Sequence, residues 1–436
     1  MAPACALMSP GTVRMAIDER DRRGHLVRRF HAVRARTEHL AAPLSAEDQG
    51  LQSMPSCSPT KWHRAHTTWF FETFLLGPQG VAPYDARWGV LFNSYYVAVG
   101  PRHARPKRGL LSRPSVTEID AYRRAVDQRV IELLTRADDA TLSTLTPIVE
   151  LGLAHEEQHQ ELILTDLLSA LAENPLLPAY AAAVQTTSAS PGAARFVPYE
   201  GGLVEVGRDA STTFSFDNEA PRHRRWLEPF ALADRLVTVG EWKAFADAGG
   251  YETPSLWLSD GYQWAQDNGV KAPLYAHRES GALLVFGLTG QREARDDEPI
   301  AHLSYYEADA IAHFLDARLP TEAEWEVSAA GVDVAGNFLG EALAPRPAPA
   351  AKGRPTQLFG DVWEWTQSSY EPYPGYRPPA GALGEYNGKF MVNQLVLRGG
   401  SCFTPPGHVT ASYRNFWHPD TRFQMTGVRL ARSSIR

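Results

Sequence analysis

The chain has 436 residues, of which 44% are apolar and 21% charged, with a net charge of −7, an ordinary globular composition with room for two or three domains. The acidic balance disfavours a dedicated nucleic-acid binder, and no window carries the ~18 continuous apolar residues of a membrane span. Cys5, Cys57 and Cys402 are widely spaced, so they give neither a disulfide framework nor a CxxC metal site and fit a reducing cytoplasm.

The N-terminal stretch MAPACALMSPGTVRMAIDERDRRGHL has no apolar core behind a basic start, so no signal peptide is expected. From residue 16 to about 184 the chain reads as helical. IDERDRRGHLVRRFHAVRARTEHLAA and VTEIDAYRRAVDQRVIELLTRADD place apolar residues at three- and four-residue steps. KWHRAHTTWFFETFLL (61–76) reads as another helix. The clearest helix is expected to begin at Thr146-Pro147, with Thr as N-cap and Pro in the first turn, and to stop at Asn174-Pro175. These helices predict a bundle, a fold that builds metal sites from inward-facing side chains. QTTSASPGAA (185–194) reads as a linker. Beyond it, runs such as GGLVEVG and QLVLRGGS predict an irregular α+β domain. Helices are expected there near 238–248 and 304–316, and an exposed loop over 343–355.

HEEQHQELILTDLL (155–168) sets His155 and His159 four residues apart, on one helical face. The string satisfies the HExxH pattern of zinc peptidases. A metzincin, however, would carry Gly and His where Leu162 and Thr165 stand, and no following helix is evident to supply a Glu. His63 and His66, in WHRAH, are available as further ligands. Three neutral imidazoles without a carboxylate suit Zn, Cu or Fe(II), and spacing does not choose among these metals.

Longer motifs narrow the choice. SMPSCSPTKWHRAHTTWFFETFLL, LFNSYYVAVGPRHARPKRGLLSRPS and LGLAHEEQHQELILTDLL resemble the N-terminal half of the sulfoxide synthases of ergothioneine biosynthesis. FSFDNEAPRHR, RLPTEAEWE, FGDVWEWT, GEYNGKFM, VLRGGS and YRNFWHPDTRFQMTGVRLA resemble their C-terminal half. The resemblance implies a DinB-like four-helix bundle over 16–184 and a formylglycine-generating-enzyme-like domain, C-type-lectin-like in architecture, over 195–436. It implies Fe(II) as cofactor, held by His66, His155 and His159, with His63 in a supporting role. The implied substrates are O2, hercynine (the trimethylated betaine of histidine) and a chalcogen donor. Gln158 is expected to bond the hercynine imidazole, and Tyr95 and Tyr96 to assist oxygen chemistry as proton donors. Asn415, Phe416 and Trp417 match the substrate loop, where aromatic faces suit a quaternary ammonium and Asn415 a carboxylate. Arg102, Arg105 and Arg414 are candidates for a donor carboxylate. GDVWEW and RLPTEAEWE are expected to determine the second domain's fold.

Several positions depart from the family pattern: Ser56-Cys57, Arg64, Ala154, Val239, Trp417-His418 and Phe423-Gln424-Met425. Because they cluster near the ligands and the substrate loop, they favour a changed donor. This leans the reading toward the selenoneine branch, with a selenosugar donor and a C–Se bond. The alternative is ordinary hercynine sulfoxide synthesis with cysteine or γ-glutamylcysteine. A catalytically dead binding protein would have lost a ligand. A thiol oxidase would need a cysteine pair where only Cys402 lies.

Overall fold

The computed structural model describes residues 19–184, 192–209, 214–347 and 353–433. Most of the expected linker and part of the 343–355 loop lie outside the described residues, as do the first fourteen residues.

The first half contains α1 (Glu19–Ala41), α2 (Thr60–Phe71), the short α3 (Gly89–Phe92), α4 (Val116–Arg136) and α5 (Asp139–Ala172). Their apolar residues form inward stripes. Leu26, Phe30 and Val33 of α1 meet Tyr122, Val126 and Val130 of α4, and Leu142, Leu145, Val149 and Leu153 of α5. A capping box between Ser115 and Glu118 starts α4. α2 continues through residues 72–76 as a π-helical turn, so the helix expected over 61–76 is present with a widened end.

α5 begins before Thr146-Pro147, contrary to the sequence expectation. Asp138 caps it by accepting from the Thr141 N–H, and Pro147 lies inside the helix. Thr146 Oγ1 donates to the Leu142 carbonyl at 2.7 Å, a helix-interior contact. Pro147 removes one backbone bond; the long buried face of α5 offsets that loss. Where α5 crosses α2, a Cβ on Gly152 would stand 2.5 Å from the Phe71 ring and 3.1 Å from Phe70. The close approach lies one turn before His155.

The second half runs β1 (Phe196–Tyr199), β2 (Gly202–Val206), β3 (His223–Leu227), β4 (Phe230–Leu236), α6 (Val239–Asp247), α7 (Ser259–Asp267), β5 (Ala276–Glu279), β6 (Ala282–Gly287), β7 (Gly290–Glu293), α8 (Tyr305–Phe314), α9 (Glu322–Ser328), β8 (Trp363–Ser369), β9 (Leu395–Arg398), β10 (Asn415–Trp417), β11 (Thr426–Gly427) and β12 (Arg429–Ser433). The sheets are β1-β4-β12, β10-β9-β8-β11, β5-β6-β7 and the hairpin β2-β3. α6 and α8 match the expected helices; α7 and α9 do not. α9 has only seven residues, too few for an apolar period to show. It is nevertheless announced by a capping box, Thr321/Glu324, of the type that starts α6 and α8.

Two of the expected fold motifs meet in the core. Glu364 of GDVWEW pairs with Arg429 at 2.8 Å, both fully buried, and accepts the Trp325 indole N–H of RLPTEAEWE at 2.7 Å. Among the described residues, no helix is long and apolar enough to cross a membrane.

Candidate functional site

His66 from α2 and His155 and His159 from α5 converge. Each offers a ring nitrogen, and these atoms lie within 4.8 Å of one another. Helical spacing puts the α5 pair on one face, and the close crossing at Gly152 brings His66 to it. Burial holds His66 and His159 well below the usual imidazole range and pushes His155 down to about 3. All three are therefore neutral, the form that binds a metal.

The residues fit a metal. His66 Nδ1–H donates to the Phe92 carbonyl at 2.6 Å, while its buried Nε2 and both nitrogens of His155 have no hydrogen-bond partner. Buried polar atoms are rarely left so, and lone pairs aimed at a common point are what a cation satisfies. His63 stands behind His159 and outside the triad, with the two Nδ1 atoms 2.7 Å apart.

The carboxylate that a peptidase reading would recruit faces elsewhere. Glu156 accepts from Arg34 at 2.7 Å, Thr37 at 2.6 Å and Arg123 at 3.0 Å, inside the bundle. Burial pushes its pKa up, but the two arginines and these bonds outweigh that and hold it near 2. It cannot serve as a base at the triad.

Above the triad a cavity of about 370 Å³ opens between the two halves. Its walls include Tyr95, Gln158, Asn415, Phe416 and Trp417, together with His155, His159 and Arg105. Gln158 is gripped from the second domain: its Oε1 accepts from the Tyr386 hydroxyl, and its Nε2 donates to Tyr413 at 2.7 Å. Asn415 Oδ1 accepts the Phe416 N–H at 2.9 Å. Phe416 stacks on Tyr370 at 3.9 Å, and Trp417 meets Phe423 edge to face at 5.2 Å.

The two tyrosines are not equivalent. Tyr95 lines the cavity. Tyr96 is fully buried behind it, packed on Trp69 and Phe74, with its hydroxyl 3.5 Å from that of Tyr95. Their loop is braced on both sides. Asn93 bonds the backbone of Tyr96 and Gly100, and Lys389 of the second domain donates to the Tyr95 carbonyl at 2.5 Å.

The arginines divide differently from the sequence expectation. Arg414 reaches the cavity wall, but its guanidinium is held by Glu322 at 3.0 and 3.1 Å and by the Asn218 and Glu371 carbonyls. With four of its five N–H donors so engaged and its charge paired with Glu322, this guanidinium is committed to the second domain's core. Arg102 is exposed, reaches only the Tyr95 carbonyl at 3.5 Å, and is absent from the lining. Arg105 stays on the wall. Arg108, which the sequence reading missed, joins it: buried, with no ion pair among the described residues, stacked 3.4 Å over Trp62, donating to Ser58 and Ser94. Burial first, then Arg105, pushes its pKa down to about 9. The three-residue steps Arg102, Arg105, Arg108 were the available signal. Tyr386, Tyr413 and Trp363 were also missed. The motif of Trp363, GDVWEW, read as a fold element, yet Trp363 donates to Glu161 on α5 at 2.8 Å and lines the cavity.

Comparison with known proteins agrees with this two-part construction. A DinB superfamily model matches residues 29–163. A sulfatase-modifying factor enzyme 1-like domain model matches 181–354 and 355–434. The chain is 32% identical to a hercynine oxygenase of Mycolicibacterium smegmatis, over 87% of this chain and 92% of the relative. It is 32% identical to one from Mycobacterium tuberculosis, over 92% and 97%. An ergothioneine biosynthesis protein 1 of Schizosaccharomyces pombe is 24% identical over 50% of this chain and 28% of its own length.

Proposed function

Because this chain belongs to the hercynine oxygenase family, we propose that it joins a thiol to the imidazole carbon of hercynine at a non-haem Fe(II) site and leaves a sulfoxide. The reaction balances with O2 alone: the ring C–H and the thiol S–H are lost, a C–S bond forms, one oxygen stays on sulfur and the other leaves as water. The observation that carries the reading is the neutral triad of His66, His155 and His159 beneath a cavity walled by aromatic rings. Bound Fe(II) would supply electrons and open positions for O2.

The chain's own residues do the rest. Gln158, fixed by Tyr386 and Tyr413, has a second amide N–H and a second Oε1 lone pair for an imidazole ring. The Asn415 amide meets the betaine carboxylate, and aromatic faces meet the trimethylammonium, which has no N–H to donate. Arg105 and Arg108 offer charge to a donor carboxylate. Tyr95 delivers a proton from its hydroxyl. Burial raises its pKa, so it stays protonated until a strong base forms beside it. Tyr96 is the second hydroxyl behind it.

The lean toward a selenium donor is not carried forward. Its basis was the clustering of departures near the site, and few of them reach the cavity. Arg64 is engaged with Glu38, Asp120 and Gln49. Val239 and Met425 line a separate apolar cavity. Only Trp417, His418 and Gln424 are on the wall. The relatives' names refer to hercynine and ergothioneine, which supports the sulfur alternative.

Tyr95→Phe tests the assignment. The C–S product should fall at least ~10-fold, with oxidised thiol in its place, and Tyr96→Phe should act more weakly. Wild-type product yield in Tyr95→Phe would contradict the role.

A further inference from the structure

The three candidate ligands have three different supports. His66 is held by a backbone carbonyl. His155 has no partner on either nitrogen. His159 alone is tied to a carboxylate, through a second histidine. Asp166 Oδ2 lies 3.0 Å from His63 Nε2, and His63 Nδ1 lies 2.7 Å from His159 Nδ1. Asp166 and His63 are both buried.

The proton positions follow from donor and acceptor counting. A carboxylate only accepts, so His63 Nε2 carries hydrogen. The two Nδ1 atoms share one hydrogen bond; because His159 needs its lone pair on Nε2 to meet a cation, its hydrogen lies on Nδ1 and is donated to His63 Nδ1. Asp166 is itself fixed: its Oδ2 accepts the Ser58 N–H at 2.7 Å.

We propose that Asp166 and His63 form a positioning relay that commits His159 to its Nδ1–H tautomer, with the lone pair on Nε2, and makes it the strongest electron donor of the three ligands. The inference rests on the metal reading of the triad. It identifies what selects His63 over His66 for the supporting role: both sit on α2 and face inward, but only His66 has a buried ring nitrogen free for a cation. Outer partners of metal-bound histidines act in this way elsewhere, and losing one typically costs 10–100-fold in affinity.

The test is anaerobic Co(II) titration of the metal-free full chain, read by visible d–d absorption and calorimetry. Wild type should bind one equivalent. His63→Phe removes the acceptor and should weaken binding ~10–100-fold. His63→Asn restores a carbonyl acceptor where Nδ1 stood and should recover most of the affinity, an outcome that a purely structural role would not predict. Asp166→Asn keeps an oxygen for both hydrogen bonds but removes the charge, and should shift the d–d band. Wild-type affinity and band in His63→Phe would overturn the relay. If that variant does not fold, an unchanged band and affinity in Asp166→Asn would overturn it instead. Failure of the wild type to bind Co(II) would overturn the metal reading itself, and the relay with it.

Discussion

Glu156 shows how much one residue's surroundings decide. In the sequence it completes an HExxH string; in the fold it neutralises Arg34 and Arg123 at the centre of the bundle. Its folded pKa, about 2, lies below its ordinary value of 4.5. A depressed carboxylate contributes stability that is present above the unfolded pKa and lost as pH falls through the folded one. The protein should therefore lose stability between about pH 4.5 and 2. Glu156→Gln should be destabilised by about 1–3 kcal/mol at neutral pH, because Arg34 and Arg123 each lose one charged acceptor while Arg34 keeps Asp127 and Arg123 keeps Glu38, and its acid limb should be flatter. Urea unfolding at several pH values checks both; equal pH dependence in the two proteins would refute the assignment. The ligand spacing was legible at this scale because i, i+4 geometry is local. The fate of Glu156, the pairing of Arg414 with Glu322 and the cavity-facing Arg108 were not, since each depends on residues distant in the chain.

At the scale of elements, the site depends on one helix crossing. Gly152 lets α5 approach Phe70 and Phe71 of α2 and its continuation, and Phe70 in turn packs on His155 at 4.7 Å. Gly152→Ala puts a methyl where no room exists, which should cost about 1–3 kcal/mol. It should also spread the triad, so that metal affinity falls further than thermal stability alone predicts. A variant with wild-type metal affinity would show that the crossing does not set the site. Periodicity revealed α1, α2, α4 and α5. It misplaced the start of α5 because Thr-Pro is a strong local start signal, which the buried apolar face of the longer helix overrides. The seven-residue α9 is too short for a period, and α7, nine residues like α6, starts after Leu258 without the side-chain cap that announces α6.

At the scale of the molecule, the cavity exists only because the two halves interlock. Glu161, two residues beyond His159, enters the second domain and accepts from Trp363 at 2.8 Å, Ser401 at 2.5 Å and Thr404 at 2.7 Å. Gln158 does the same with Tyr386 and Tyr413. The helix that carries two candidate ligands thus also fastens the domains together. Glu161→Ala leaves those donors unpaired and should cost at least about 2 kcal/mol. It should split thermal unfolding into two transitions and reduce turnover even with metal bound. A single transition at the wild-type temperature would contradict this. The two-domain organisation was legible because composition changes sharply after the bundle. The interface was not, because Gln158 and Glu161 meet Tyr386, Tyr413 and Trp363 more than 200 residues away in the chain.

The most direct measurement is a donor competition. Purified chain, Fe(II), O2 and hercynine are incubated with cysteine, γ-glutamylcysteine and a 1-selenosugar together, and the adducts are read by mass spectrometry. A sulfoxide joining hercynine to one of the thiols, absent when His66 is replaced by Ala, is the predicted result. A selenium adduct, recognised by its isotope pattern, would contradict the sulfur assignment, and hercynine recovered unchanged would contradict the enzyme.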